Sequence, residues 1–320
     1  MFKRHRKLHA AGILGINRRN SDYTLVYNAR RRYPLVDDKL ITKKLAIQAG
    51  LAVPELYGVI EAEYQIRHQL PQILTKNPDA VIKPAKGSGG NGILVICGRF
   101  KDRYRKIDGT TIEEEDVAYH ISNILSGMYS LGGQPDRAIV EYRVHFDPLF
   151  EPISYQGVAD IRIIVLLGVP VMSMIRLPSR DSNGKANLHQ GAVGVGIDLS
   201  TGTTLTGVWK DMIVTEHPDT GASVIGLKIP HWDRLLNLAA GCYELTGLGY
   251  IGVDIVLDQF HGPLILELNA RPGLNIQIAK REGLNPRLEF VIKHRKELKG
   301  VDERVAFAKA SFPSNLKMLS

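Results

Sequence analysis

A chain of 320 residues with 44% hydrophobic and 23% charged content is long enough for two or three compact units and has the composition of an ordinary soluble globular protein. No apolar run approaches the roughly 20 residues needed to cross a bilayer, and the start, Met1-Phe-Lys-Arg-His-Arg-Lys7, has no apolar stretch behind it to serve as a signal peptide, so a cytoplasmic location is expected. Cys97 and Cys242 stand far apart without a C-x-x-C pattern, which excludes a zinc knuckle and a disulfide framework and leaves both as core residues.

The net charge of +8 is concentrated at one end. Up to Val36, Lys3, Arg4, Arg6, Lys7, Arg18, Arg19, Arg30, Arg31 and Arg32 stand against Asp22 alone; 41 basic residues less nine, and 33 acidic less one, leave 32 of each sign in the rest. Residues 1–36 are therefore expected to form a basic N-terminal arm on a neutral body. Such an arm either suits an acidic partner (a carboxylate-rich peptide or polymer, or an anionic membrane surface) or is a solvated extension. Nucleic acid is disfavoured, because no helix-turn-helix, zinc finger or aromatic RNA-binding signature is present.

In chain order, 36–50 predicts a helix with Asp37 or Asp38 at its start and Gly50 as its stop. An extended stretch follows at 51–55. Residues 80–85 predict a short strand, 86–92 a glycine loop, and 93–97 a second strand. The acids of 113–116 open a helix running toward Leu131. Strands are predicted at 137–142, 160–167 and 169–175, and 231–246 has helical spacing with Leu235, Leu238, Cys242 and Leu245 on one stripe.

The glycine loop Gly87-Ser-Gly89-Gly90-Asn-Gly92 satisfies G-x-G-x-x-G, but a dinucleotide fingerprint must open a helix, and 93–97 is β-like. The Walker pattern is absent as well. Strand, glycine loop, strand is the geometry of a flap that covers phosphates with backbone N–H groups, or of a plain hairpin turn. Lys83, on the strand feeding the loop, would point at phosphate oxygens in the first case.

The last two strands carry acids among apolar neighbours. Residues 250–258 and 263–269 read as a hairpin around a four-residue link, and if Asp258 and Pro263 flank the loop, Asp254 lies opposite Glu267. Asn269 shares the face of Glu267, while Val253, Ile255, Leu257, Leu264, Leu266 and Leu268 take the other. Two close carboxylates and an amide suit a hard divalent cation bound together with nucleotide phosphates; a solvated polar face is the alternative.

Taken together, Lys39 near a helix start, Val-Ile-Lys83-Pro with its glycine loop, Glu141-Tyr142, Asp160-Ile-Arg162, Lys185-Ala-Asn187-Leu-His189, Asp254 and Glu267-Leu-Asn269-Ala-Arg-Pro-Gly273 occur in the order seen in ATP-grasp enzymes. Over about residues 37–280 the chain resembles the RimK-type α-L-glutamate ligases. The stretch 206–232, with His217-Pro-Asp-Thr-Gly221, is also similar to ATP-grasp proteins associated with sugar or polymer modification.

The resemblance implies an α/β (α+β) ATP-grasp fold, two lobes gripping ATP between them. The expected division is a basic arm at 1–36, an N-lobe with the flap at 37–139, a C-lobe with the metal site at 140–290, and a tail at 291–320. The arm takes the place of the larger domain that precedes the lobes in RimK-type ligases.

The resemblance further implies that Lys39, Lys83, Gly89 and Gly90 contact phosphates and that Glu141 and Tyr142 sit at the adenine and hinge. Asp160, Lys185 and Asn187 would line the ATP pocket, and Asp254, Glu267 and Asn269 would hold two Mg²⁺ ions, with Mn²⁺ as a substitute. The expected reaction is ATP-dependent formation of an amide between a carboxylate donor and an amine acceptor through an acyl phosphate, with Arg162 and Arg176 clamping the intermediate beside Lys83. Glutamate, or another amino acid added to an acidic acceptor, is the expected substrate class. Two other readings stay open: a nucleotide-binding assembly factor docking through its arm, and a kinase-like phosphotransferase. A homo-oligomer is compatible with either.

Overall fold

The computed structural model describes residues 2–87 and 89–314. Ser88 of the glycine loop and residues 315–320 of the anticipated tail lie outside the described residues, as do the side chains of Lys3 and Arg4. The chain forms two compact units. The smaller comprises Asp38–Lys44 and Val53–His145, the larger Met1–Asp37, Leu45–Ala52 and Phe146–Ser320.

Among the described residues, the smaller unit is built on β1 (Leu56–Ile60), β2 (Asp79–Pro84), β3 (Leu94–Phe100), β4 (Arg103–Lys106), β5 (Thr111–Ile112) and β6 (Ala138–Tyr142), in the order β1-β6-β2-β3-β4-β5 with every pair antiparallel. Alternation assigns Ala80, Ile82, Ala138 and Val140 to one face, where they pack with Ile66, Leu70 and Leu74 and with Val117, Ile121 and Ile124 of the helix Glu114–Leu125. That helix opens as expected, with the Glu113 N–H donating to Asp116 at 3.1 Å. It stops short of Leu131, because Gly127 turns the chain at φ +86° where a side chain would collide with the Gln134 carbonyl. The helix Lys39–Gln48 starts at Asp38, whose carboxylate accepts from the N–H groups of Leu40 and Ile41 at 3.0 and 3.2 Å.

The larger unit carries β7 (Asp160–Leu166), β8 (Val169–Leu177), β9 (Val193–Ile197), β10 (Thr204–Trp209), β11 (Met212–Val214), β12 (Tyr250–Asp258) and β13 (Gly262–Asn269), ordered β11-β10-β9-β8-β7-β12-β13 and again wholly antiparallel. Leu235, Leu236, Ala239 and Cys242 bury one side of the helix Trp232–Thr246, which packs on β7, β8 and β12. Residues 291–314 are an integral layer of this unit: the helix Val301–Ser311 packs on Trp232–Thr246 and on β8.

Two local expectations are corrected. Asp258 pairs with Gly262 rather than Pro263, because its carboxylate accepts from the N–H groups of Phe260 and His261, both at 2.9 Å, and tightens the turn. A bulge between Asp254 and Ile255 then shifts the register, so that Asp254 still faces Glu267, but Ile265 rather than Leu266 joins the face of Ile255.

The second correction concerns residues 12–33, which are no free arm. Leu14, Tyr23 and Asn28 are buried, the Leu14 N–H donates to Gln277 at 2.8 Å, and the Tyr23 hydroxyl donates to Asn285 at 2.7 Å. Several of the basic residues have internal partners. Arg18 pairs with Asp22 and Glu289 at 3.1 and 2.9 Å, and Arg32 donates to the Thr246 carbonyl at 3.1 Å.

Candidate active site

In the smaller unit, β2 and β6 place Lys83 and Glu141 on the face opposite the apolar core, both nearly inaccessible to solvent. Lys83 Nζ lies 2.5 Å from one Glu141 oxygen and Lys43 Nζ lies 3.0 Å from the other. The Lys43 ammonium also donates to the Pro54 carbonyl. Each Glu141 oxygen therefore faces its own ammonium, Lys83 at one and Lys43 at the other.

One turn earlier on the same helix, Lys39 donates to the Gly87 carbonyl at the foot of the glycine loop. The loop is anchored by Asp136, which accepts from the Lys86 N–H at 2.9 Å and from Ser130 at 2.7 Å. Gly89 and Gly90 are exposed with φ of +64° and +76°, the left-handed geometry that turns successive N–H groups outward. Tyr142 lies on the opposite strand face from Glu141, and its N–H donates to the Glu55 carbonyl at 2.8 Å.

Lys43 was not anticipated as a site residue. Its position four residues after Lys39 puts both on one helix stripe, a signal readable in the sequence once the helix start is known. Burial drives the Lys43 ammonium down from 10.5 to about 8 against the pull of Glu141, and Glu141, which burial alone would raise, is held low by Lys83 and Lys43.

Between about 8 and 10.5 the unfolded chain therefore keeps a proton on Lys43 that the folded chain has released, so this group's contribution makes stability rise with pH in that window. Thermal unfolding of wild type and Lys43→Met across that range is expected to show a melting-temperature difference that shifts in favour of wild type as pH rises. A pH-independent difference would contradict the assignment.

In the larger unit, four adjacent strands gather the remaining charged candidates on one sheet face. Arg176 on β8 lies opposite Asp160 on β7, Arg162 on β7 opposite Asp254 on β12, and Asp254 opposite Glu267 on β13. Arg162 grips Asp254 with both ends of its guanidinium, at 2.7 and 2.6 Å. Arg176 forks onto Asp160 and also donates to Asp254 at 3.0 Å, and the Asn269 amide approaches Asp254 at 3.3 Å. Burial pushes Asp160 up, with the Asp254 charge adding to it against Arg176; the same burial penalty at Asp254 is outweighed by Arg162 and Arg176, which hold that carboxyl low.

The segment that follows Asn269 is pinned by residues 19–33. Asn28 bonds Tyr250 through its N–H at 2.8 Å and its carbonyl at 2.7 Å, and donates to the Ala270 carbonyl at 2.9 Å. Arg19 donates to the Pro272 carbonyl at 2.9 Å, and the Arg271 guanidinium lies 5.3 Å from the Tyr33 ring centre. These contacts were not legible beforehand. Lys185 and Asn187 lie half-buried in the loop between β8 and β9, with the Asn187 side chain capping Leu188–Gln190, and His189 is exposed.

The donor set on β12 and β13 suits a hard cation in kind: two carboxylates and an amide oxygen on one face. In this arrangement the Asp254 oxygens are engaged by Arg162, Arg176 and Asn269, so a cation held with Glu267 and Asn269 would take Asp254 only in exchange for an arginine contact. Among the described residues, no group of three or more His, Cys, Asp or Glu is arranged around a cation position.

The profile of a family described as sugar-transfer associated ATP-grasp matches residues 18–293. A probable alpha-L-glutamate ligase of Maridesulfovibrio salexigens is 24% identical over 237 residues, 74% of this chain and 56% of the relative. A probable alpha-L-glutamate ligase of Legionella pneumophila (strain Corby) is 29% identical over 115 residues, 36% of this chain and 27% of the relative. The chain thus spans little more than half the length of the first relative and about a quarter of the second. Among solved structures, the ATP-grasp ligase PsnB complexed with precursor peptide PsnA2 and AMPPNP is similar over 84% of this chain and 62% of its own, at TM-score 0.46 and 16% identity. The D-alanine–D-alanine ligase from Bacillus anthracis complexed with ATP is similar over 83% and 69%, at TM-score 0.46 and 14% identity.

Proposed function

The chain belongs to the sugar-transfer associated ATP-grasp family, and from that premise we propose that it is an ATP- and Mg²⁺-dependent ligase that activates a carboxylate as an acyl phosphate and joins it to an amine. The observation that carries this reading is the pair of guanidinium groups, Arg162 and Arg176, fixed on one sheet face by Asp254 and Asp160 beside Glu267 and Asn269. The carboxylates hold both guanidinium groups through Nε and Nη2, which fixes their position and leaves the Nη1 ends as the donors that would meet a phosphoryl or tetrahedral oxyanion.

In the proposed sequence a carboxylate oxygen of the donor attacks the γ-phosphorus of ATP and the bond to ADP breaks. The amine then attacks the acyl carbon, and phosphate departs with the donor's oxygen while the amine proton passes to solvent. Lys39, Lys83 and the amides at Gly89 and Gly90 hold phosphate oxygens, with Glu141 orienting Lys83; Arg162 and Arg176 hold the acyl phosphate. Mg²⁺ bound by Glu267, Asn269 and Asp254 would supply charge neutralisation to the phosphates, and two ions are the expected complement.

The glutamate-ligase relatives favour an amino acid as one substrate, and the family description favours a saccharide-bearing acceptor or its precursor. Incubation of the pure chain with ATP, Mg²⁺ and pools of amino acids, acidic peptides and amino sugars is expected to release ADP with a mass gain on one acceptor. Release of AMP and pyrophosphate would overturn the acyl-phosphate route.

A further inference from the structure

At the β10–β11 end of its sheet, the larger unit carries an apolar groove of about 670 Å³. Leu8, Ile13 and Ile16 of the N-terminal segment line it together with Ile213, Leu274 and Ile278. Four of these are more than half exposed: Leu8 at 55%, Ile16 at 64%, Ile213 at 56% and Ile278 at 55%. Large aliphatic side chains gathered this way around one groove are what the surface of a freely dissolved protein avoids.

The polar groups in the lining are few, and Gln277 is already committed to Leu14 and Leu284. The surrounding charge is positive. Arg6 and Lys7 are exposed on the helix Phe2–Ala10 beside Leu8, that helix contains no acid, and Arg281 stands at the rim. The acid in the lining is Asp211; Glu282, next to Arg281, is held by Arg287, and Asp22, the acid of the N-terminal segment, is held by Arg18.

We propose that this groove and the helix beside it dock the protein peripherally on an anionic phospholipid bilayer. Leu8, Ile16, Ile213 and Ile278 enter the boundary between headgroups and acyl chains, while Arg6, Lys7 and Arg281 meet lipid phosphates. Each signal alone gives weak, reversible attachment, and their coincidence gives stable attachment. An acidic peptide would satisfy the basic residues but has nothing to place against an aliphatic groove whose amide is already bonded. No described helix is long and apolar enough to cross a membrane, so the contact is one of surface insertion. The proposal uses none of the residues given to ATP or substrate, and it stands or falls apart from the ligase reading.

The test is sedimentation of the full chain with vesicles of phosphatidylcholine alone and of equimolar phosphatidylcholine and phosphatidylglycerol, at low and high salt. Partitioning is expected to be about tenfold or more stronger on the anionic vesicles and to weaken with salt. Ile16→Glu with Ile213→Glu, and separately Arg6→Glu with Lys7→Glu, are each expected to lower it about tenfold, with thermal unfolding unchanged because all four side chains are exposed. Ile225→Glu, exposed but outside the groove, is expected to bind like wild type. Equal binding to both vesicle types would overturn the proposal. So would full retention of binding in the Ile16→Glu, Ile213→Glu variant, or binding to poly-glutamate with none to vesicles.

Discussion

Replacing Arg176 with alanine is expected to destabilise the larger unit by about 3–5 kcal/mol, the range for removing one partner of a buried ion pair. Arg176 is the only described cation that touches both Asp160 and Asp254. Without it two buried carboxylates face each other with Arg162 as the remaining nearby fork, and Asp160 keeps its proton to higher pH. Urea unfolding should show the loss as a lower midpoint with an unchanged slope. Arg176→Lys is expected to recover little of it, since an ammonium cannot reproduce the fork that meets both Asp160 oxygens and Asp254. An unchanged midpoint in Arg176→Ala would show that the cluster is solvated rather than buried and would remove its claim to be preorganised.

Lys83→Met is expected to lower kcat for ADP formation by about 10²–10³-fold, the effect of deleting one charged donor aimed at a developing oxyanion. Lys83 and Glu141 lie on the same sheet face in contact at 2.5 Å, so the methionine variant also leaves Glu141 with Lys43, 3.0 Å from its other oxygen. A structural role alone would appear as a lower melting temperature with turnover intact in the folded fraction. The ligase account predicts a large loss of kcat at saturating ATP in the folded fraction, beyond the loss of stability that follows from leaving Glu141 with Lys43 alone. Turnover within a few-fold of wild type would remove Lys83 from the phosphate site.

The opposition of Asp254 and Glu267 is readable because both strands alternate strongly and a short turn fixes their ends. The bulge that re-aims them is not. Leu264, Ile265 and Leu266 are all apolar, so any register along that run satisfies the core, and the decision rests with the Asp258 turn, whose side chain tightens the loop by one residue. Strand, glycine loop, strand is likewise legible, since the flanks are rich in β-branched residues and Gly89, Gly90 and Gly92 supply the positive φ the turn takes.

What the sequence hides are partners that lie far apart along the chain. Asp254 reads as an acid wanting a cation, and it finds two guanidinium groups from β7 and β8. Asn28, in a stretch that reads only as basic, closes the end of the β12–β13 hairpin through three hydrogen bonds. Charge counting treated residues 1–36 as one arm, whereas burial of Leu14, Tyr23 and Asn28 divides it into an exposed basic helix and a segment built into the larger unit.

The central claim is that a carboxylate oxygen becomes bonded to phosphorus on the way to an amide. Its most direct test supplies the enzyme with ATP, Mg²⁺ and pools of amino acids and acidic peptides that all carry ¹⁸O in their carboxyl groups, and weighs the released phosphate by mass spectrometry. The account predicts one ¹⁸O atom in each phosphate released together with ADP and amide. Phosphate free of label, or phosphorus retained on a stable product, would contradict it.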